Sequence, residues 1–266
     1  MKVVLEHIAA RQAVFASHPF FEDLKQDRPV EQIMAFAPRL AFWVMTFQDV
    51  LRLNAHFISD PALKRLAIQH RSEEVGHDRW FFEDIQELTG KQLSVSALFG
   101  RAHTATRDAT YALISEVYRP MDDRLRIVLV LTMEATSHIF FGRTSIIVST
   151  KGCGQRLRYF SDFHVQVEQQ HEVFEEEMER RLRNLELNDD LRAQAMALVD
   201  RAYAAFDLML QGLRTEINAP VEPLMPARLP EARSAATTAF PTPAPVAAAV
   251  EPPHEEAEPH PHILAV

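Results

Sequence analysis

The stretch LRIVLVLTMEATSHIFF, residues 125–141, repeats apolar side chains at intervals of three and four residues. The stretch LAFWVMTFQDVLRLNAHF, residues 40–57, has the same period. This spacing places apolar side chains on one face of an α-helix. The chain holds only 7 glycines, and no Asn-Gly or Asp-Gly turn separates alternating segments, so hairpins find little support. The sequence therefore predicts an all-α fold.

Proline, glycine and Asx residues mark the expected helix ends. Asp60 before Pro61, for example, resembles an N-cap followed by a proline in the first turn. The stretch IIVST, residues 146–150, is β-branched enough for a strand, but no partner strand is visible. We therefore expect a bundle of about seven helices. The predicted helices cover residues 3–16, 30–58, 61–89, 102–119, 121–149, 154–187 and 189–217.

Glu134 interrupts the most apolar helix of the chain. A carboxylate in such a segment is costly to bury unless it is paired or bound to a metal. His138 follows four residues later on the same predicted face, where it is a candidate ligand or hydrogen-bond partner. Glu134 is therefore a candidate functional residue.

Two segments repeat the pattern His-x-x-x-Glu-x-x-His, namely HRSEEVGH at 70–77 and HVQVEQQH at 164–171. In a continuous helix, positions i, i+4 and i+7 form one stripe. Stripes of imidazole and carboxylate suit iron, manganese or zinc. Carboxylate-bridged di-metal bundles carry Glu-x-x-His on each of two helices, together with further glutamates. The sequence thus predicts a metal site with ligands from both segments and from Glu134.

A simpler interpretation exists for each segment alone. A single His-x-x-x-Glu pair is more often a surface ion pair, and the second segment runs into the highly charged stretch VEQQHEVFEEEMERR. The repetition of the same spacing, together with a glutamate in an apolar helix, favours the metal site.

Composition narrows the classes of function. The chain has 266 residues, 47% of them hydrophobic, a formal net charge of -9 and a pI near 5.7. This balance disfavours non-specific nucleic-acid binding, which needs a basic surface. No uninterrupted apolar run indicates a membrane span, and Glu6, His7 and Arg11 interrupt what would be the apolar core of a signal peptide. A single cysteine, Cys153, fits a reducing cytoplasm.

The composition changes sharply near residue 219. Eleven of the 16 prolines lie between Pro220 and the C-terminus, in a segment rich in Ala, Pro and Glu with one aromatic residue. Such a segment buries too little apolar surface to offset its ordering entropy. The sequence predicts a helical domain at 1–218 and a disordered Pro/Ala-rich tail at 219–266.

The motif EEVGHDRW, the glutamate at 134 and the motif HVQVEQQH together resemble the heme-oxygenase-like di-iron oxidase family. The resemblance covers about residues 30 to 215. It implies the seven-helix fold shared with heme oxygenases and the TenA and PqqC proteins. It also implies two ferrous ions, with O2 as co-substrate. The ligands that it implies are Glu74, His77, Glu134, His164, Glu168 and His171.

The resemblance also carries expectations about chemistry. It implies oxidation of a small organic substrate, of amine, amino acid or fatty acid type, in a biosynthetic pathway for natural products. Glu74, Glu134 and Glu168 are the expected catalytic carboxylates. The sequence departs from the family twice. His70 stands where some members place their first glutamate, so it is a ligand or a neighbour of one, and Glu168 replaces the more common aspartate.

Two other classes of function stay open at this point. One is a metal-independent enzyme like TenA or PqqC, with His and Glu as proton shuttles. The other is a non-catalytic helical scaffold whose acidic helix and Pro-rich tail recruit partners. For the oxidase we expect electrons from a separate donor or from the substrate, because no dinucleotide fingerprint is present. We expect no nucleic acid and no membrane as partner, and the sequence leaves a homodimer open.

Overall fold

The computed structural model describes residues 1–169 and 186–219, and all regular secondary structure in these ranges is helical. This confirms the predicted all-α class for the described residues. Short 3-10 segments at Met34–Leu40 and Arg101–His103 join longer elements. The α-helices are α1 Lys2–Phe15, α2 Pro19–Asp23, α3 Val30–Ile33, α4 Ala41–Phe57, α5 Pro61–Glu73, α6 His77–Thr89, α7 Val95–Leu98, α8 Thr104–Tyr118, α9 Asp123–Thr150, α10 162–169 and α11 Asp189–Ile217.

Helix α9 forms the middle of the fold. It contacts α1, α4, α5, α8 and α11, and ten consecutive residues, 125–134, are buried. By length and composition it is the one described helix that would suit a membrane span, but 56% of its apolar window is buried within the protein. Its apolar character is therefore accounted for by core packing.

Helix α11 packs along α8, α9 and α1, and α4 lies against α5 and α8. The contact between α11 and α8 is very close at Gly212, where an added Cβ atom would lie 2.4 Å from the Cβ atom of Ala105. These residues belong to one compact unit, Met1–Pro220.

The predicted helix at 30–58 is wrong as a continuous element. The structure has α3, then a 3-10 segment that contains Pro38, and then α4. Proline lacks the N–H group that an α-helix needs and disfavours the α conformation in the residue before it. The α-helical hydrogen-bond pattern is therefore interrupted before α4 begins.

Two further predicted helices differ from the structure. The helix at 61–89 is divided into α5 and α6, because Gly76 adopts a left-handed conformation with φ of 98°. The helix predicted to start at 154 instead starts at 162, after a turn-rich segment. The stretch 146–150 is part of α9, which excludes a strand there.

Three sequence predictions concern residues outside the described ranges. They are the second half of the helix at 154–187, the ligand His171 and the tail at 219–266, of which only residue 219 is described.

Candidate metal centre

The turn between α5 and α6 brings the first motif together. Glu74 is the C-terminal cap of α5, and His77 is the first residue of α6. Gly76 adopts a left-handed conformation in the turn between them, and His77 Nδ1 lies 3.1 Å from Glu74 Oε2. Gln48 on α4 donates a hydrogen bond from Nε2 to the backbone carbonyl of Glu74 at 2.6 Å. The turn is therefore held from a neighbouring helix.

The first group of candidate ligands consists of His70, Glu74 and Glu134. One donor atom from each lies within 4.8 Å of the others, and all three residues are buried. His70 Nε2 lies 2.9 Å from Glu134 Oε1, which joins α5 to α9. Glu134 thus points at the motif on α5, as expected from its place in an apolar helix.

The second group consists of His77, His164 and Glu168. Their donor atoms also lie within 4.8 Å of one another. Glu168 Oε1 is 3.3 Å from His77 Nδ1 and 2.9 Å from His164 Nε2, and the two histidine nitrogens are 3.2 Å apart. This group joins α6 to α10.

The two groups adjoin each other through the Glu74–His77 contact. Together they offer six nitrogen and oxygen donors from four helices. The single cysteine, Cys153, is not among them. A donor set of imidazoles and carboxylates without thiolate suits redox-active first-row metals better than a structural zinc site. The residues present therefore fit a two-metal centre.

The charges of the groups are strongly coupled. Burial lowers the pKa of His70, but the carboxylates of Glu134, Glu74 and Glu168 together more than offset this effect and raise that pKa to about 9. Burial likewise lowers the pKa of His77, and the carboxylates of Glu168 and Glu74 raise it to about 9. Burial raises the pKa of Glu134, and His70 opposes this shift. We infer that His70 and Glu134 share a proton unless a cation replaces it.

Not every predicted ligand joins the centre. Of the two additional candidates, His70 belongs to the first group, whereas His138 is exposed on α9 and contributes to neither group. His171 lies outside the described residues. Five of the six ligands that the resemblance implies are thus brought together, with His70 as a sixth.

Contacts around the ligands were not visible in the sequence. The Nδ1 atom of His164 donates to the backbone carbonyl of Tyr159 at 2.7 Å. Trp80 stacks on His77 with ring centroids 4.5 Å apart, and Phe141 lies 4.1 Å from the ring of His164. Asp84 on α6 accepts hydrogen bonds from the backbone of residues 158–160, and its burial raises its pKa to about 6.

A pocket opens beside the centre. It encloses about 800 Å³, including its solvent-open mouth, and Glu74, His77, Glu134, His164 and Glu168 form part of its wall. None of the described residues that line it is a lysine or an arginine. Most of its remaining wall is apolar: Phe15, Leu40, Trp43, Val44, Phe47, Phe140, Phe141, Phe206, Met209 and Leu210.

Comparison of the chain with protein-family models gives no match, and comparison with curated proteins gives none either.

Proposed function

We propose that this protein is a non-heme di-iron oxidase or oxygenase that uses O2 to oxidise a small organic substrate. The observation that carries the proposal is the convergence of two buried His/Glu groups on one apolar pocket. Three carboxylates and three histidines in so small a space need counter-charge and fixed orientation, and metal ions supply both.

His70, Glu74 and Glu134 would hold one iron ion, and His77, His164 and Glu168 the other. Glu74 belongs to the first group and contacts His77 of the second, so it is the residue through which the two groups adjoin. When bound, two ferrous ions supply the electrons for reduction of dioxygen. The heme-oxygenase-like arrangement and His171 as a further ligand remain part of this proposal.

The chain's own residues prepare the pocket for this chemistry. Phe140 and Phe141, which follow Glu134 on α9, line the pocket together with Trp43 and Phe47 of α4. These apolar side chains exclude water and bind the body of an apolar substrate beside the ligands. Glu134 Oε1 and His70 Nε2 hold a proton between them, which metal binding would displace.

The residues that line the pocket indicate which kinds of substrate it could bind. Its polar groups outside the ligands include Gln48, Asp78 and Ser137, which can hydrogen-bond an amine or an amino acid. The hydrocarbon chain of a fatty acid could pack against the apolar wall. Its carboxylate could form no ion pair there, because none of the described lining residues is a lysine or an arginine. We propose a substrate of amine, amino acid or fatty acid type, a biosynthetic role, and a place in the cytoplasm.

Anaerobic titration of metal-free protein with ferrous ion tests the proposal. We expect uptake of about two ions per chain, as in di-metal bundles. Admission of air should then give oxygen consumption measured at an electrode, and the correct substrate should accelerate it. His77→Ala should abolish this consumption, whereas the exposed His56→Ala should not.

Other results would favour the other classes. Stoichiometric zinc in the purified protein, with no oxygen consumption after ferrous loading, would contradict the oxidase. Turnover of an organic substrate without metal would instead indicate an enzyme of the TenA or PqqC kind, with the His70–Glu134 pair as proton shuttle. If the protein bound no metal and turned over no substrate, the non-catalytic helical scaffold would be the favoured class.

A further inference from the structure

Two titratable residues of helix α6, His77 and Asp84, are connected with the second ligand group. They lie seven residues apart in the sequence. His77 at the start of α6 is a candidate ligand. Asp84, two turns later, is 1% exposed and points at the segment that precedes α10. A carboxylate this deeply buried is costly, so its hydrogen bonds must offset the loss of hydration.

The hydrogen bonds of Asp84 come from the backbone. Its Oδ1 accepts from the N–H of Arg158 at 2.6 Å, and its Oδ2 accepts from the N–H of Phe160 at 3.1 Å. The segment before α10 is therefore fixed to α6 at two successive points.

The Phe160 N–H and the Tyr159 carbonyl belong to the same peptide group. That carbonyl accepts the hydrogen bond from His164 Nδ1 at 2.7 Å. A continuous chain of hydrogen bonds thus runs from Asp84 through one peptide group to His164. Its other nitrogen, Nε2, faces Glu168 and His77.

We infer that Asp84 is a positioning residue that holds His164 through the Tyr159–Phe160 peptide, with its Nδ1 protonated and its Nε2 directed at the metal. This rests on the proposed function, since it takes His164 as a ligand. Metal-bound histidines usually donate their other N–H to a carboxylate or a carbonyl. Here the carbonyl is itself polarised by a carboxylate, and hydrogen bonds in such chains strengthen one another.

The wild-type protein gives the first test, without metal. In protein labelled with ¹³C and ¹⁵N, we expect the His164 Nδ1 to carry a slowly exchanging proton with a trans-hydrogen-bond coupling to the Tyr159 carbonyl carbon. The Phe160 amide should show such a coupling to the Asp84 carboxyl carbon. An unprotonated Nδ1, or absence of the second coupling, would overturn the inference.

A matched pair of variants gives the second test. Asp84→Asn removes the charge, and Glu83→Gln makes the same change at the exposed neighbouring position of α6. In Asp84→Asn the His164 Nδ1 proton should exchange faster, and the affinity for the ferrous ion held by the second group should fall by about tenfold to a hundredfold. Glu83→Gln should match the wild type in both.

The two readouts separate this inference from the proposed function. A wild-type protein that binds no ferrous ion would contradict the proposed function, while the His164 proton in the two variants would still decide the role of Asp84. If folded Asp84→Asn keeps the wild-type proton exchange, the inference is wrong. Circular dichroism establishes folding, and if Asp84→Asn does not fold, the wild-type couplings decide.

Discussion

Glu134 shows how one residue connects the sequence to the site. It lies in a run of apolar side chains on α9, yet its carboxylate meets His70 of α5. A buried acid in such surroundings is retained only with a partner, and here the partner is itself a candidate ligand. The sequence singled out Glu134 because a buried carboxylate is energetically costly. The structure shows that its carboxylate is paired with His70.

Replacement of Glu134 tests this directly. Glu134→Ala should abolish binding of at least one of the two ferrous ions, because it removes an anionic oxygen ligand from the first group. Glu83→Ala, an exposed glutamate on α6, should bind iron like the wild type. Isothermal titration under nitrogen measures both. Full occupancy in Glu134→Ala would mean that Glu134 is not a ligand.

The raised histidine pKa values predict how stability depends on pH. In the folded metal-free protein the pKa values of His70 and His77 are about 9, against an ordinary value of 6.5. The folded state therefore keeps protons that the unfolded state releases. Their stabilising contribution is complete below pH 6.5 and is lost as the pH rises through 9.

Urea unfolding of metal-free protein at pH 6.5 and pH 9 measures this loss. We expect a lower free energy of unfolding at pH 9 in the wild type and a smaller difference in His77→Gln. The exposed His56→Gln should behave like the wild type. Equal stability of the wild type at both pH values would contradict the prediction.

At the scale of elements, periodicity predicted the helices better than their ends. The spacing of apolar residues placed α9 and α11 within about two residues of their observed bounds. It did not reveal the break at Gly76, because a glycine inside a helical pattern is also tolerated without a break. The positioning role of Asp84 was equally hidden, since it depends on backbone groups 74 residues away.

Gly76 gives a prediction about the turn between α5 and α6. Gly76→Ala should lower the free energy of unfolding by about 1 to 2 kcal/mol, because an L-residue is strained at a left-handed φ. A Cβ atom there meets no other atom within 4 Å, so the cost comes from the backbone alone. Weaker ferrous binding should accompany it, because His77 follows directly.

Gly142→Ala on α9 is the matched control. A Cβ atom at this position also meets nothing within 4 Å, but the backbone is helical. This variant should gain about 0.5 to 1 kcal/mol, since alanine favours a helix over glycine. Chemical denaturation compares the two, and a stabilised Gly76→Ala would show that the turn is not held in its left-handed form.

At the scale of the whole molecule, the centre joins four helices that are distant in sequence. Its candidate ligands come from α5 and its C-terminal cap, from α6, from α9 and from α10. The sequence predicted these residues as candidate ligands, because their types and spacing are unusual. The pocket could not be predicted from the sequence. Its wall includes residues of α1, α4, α9 and α11, which only tertiary packing brings together.

The boundary near residue 219 predicts the effect of truncation. Removal of residues 220–266 should leave the melting temperature within a few degrees and the ferrous stoichiometry unchanged, because that segment lacks core-forming composition. Differential scanning calorimetry of the full and shortened chains measures the first, and metal analysis the second. A large fall in melting temperature would place the boundary further along the chain.

The left-handed turn at Gly76 also affects how relatives of this protein should be recognised. In an unbroken helix, one inserted residue between Glu74 and His77 would rotate His77 by about 100° around the axis and remove it from the site. Here residues 75 and 76 form a turn between two helices, and turns tolerate insertions. Related chains can therefore differ in this interval while keeping the same candidate ligands together. A search pattern should fix the glutamate and histidine but leave the length between them variable.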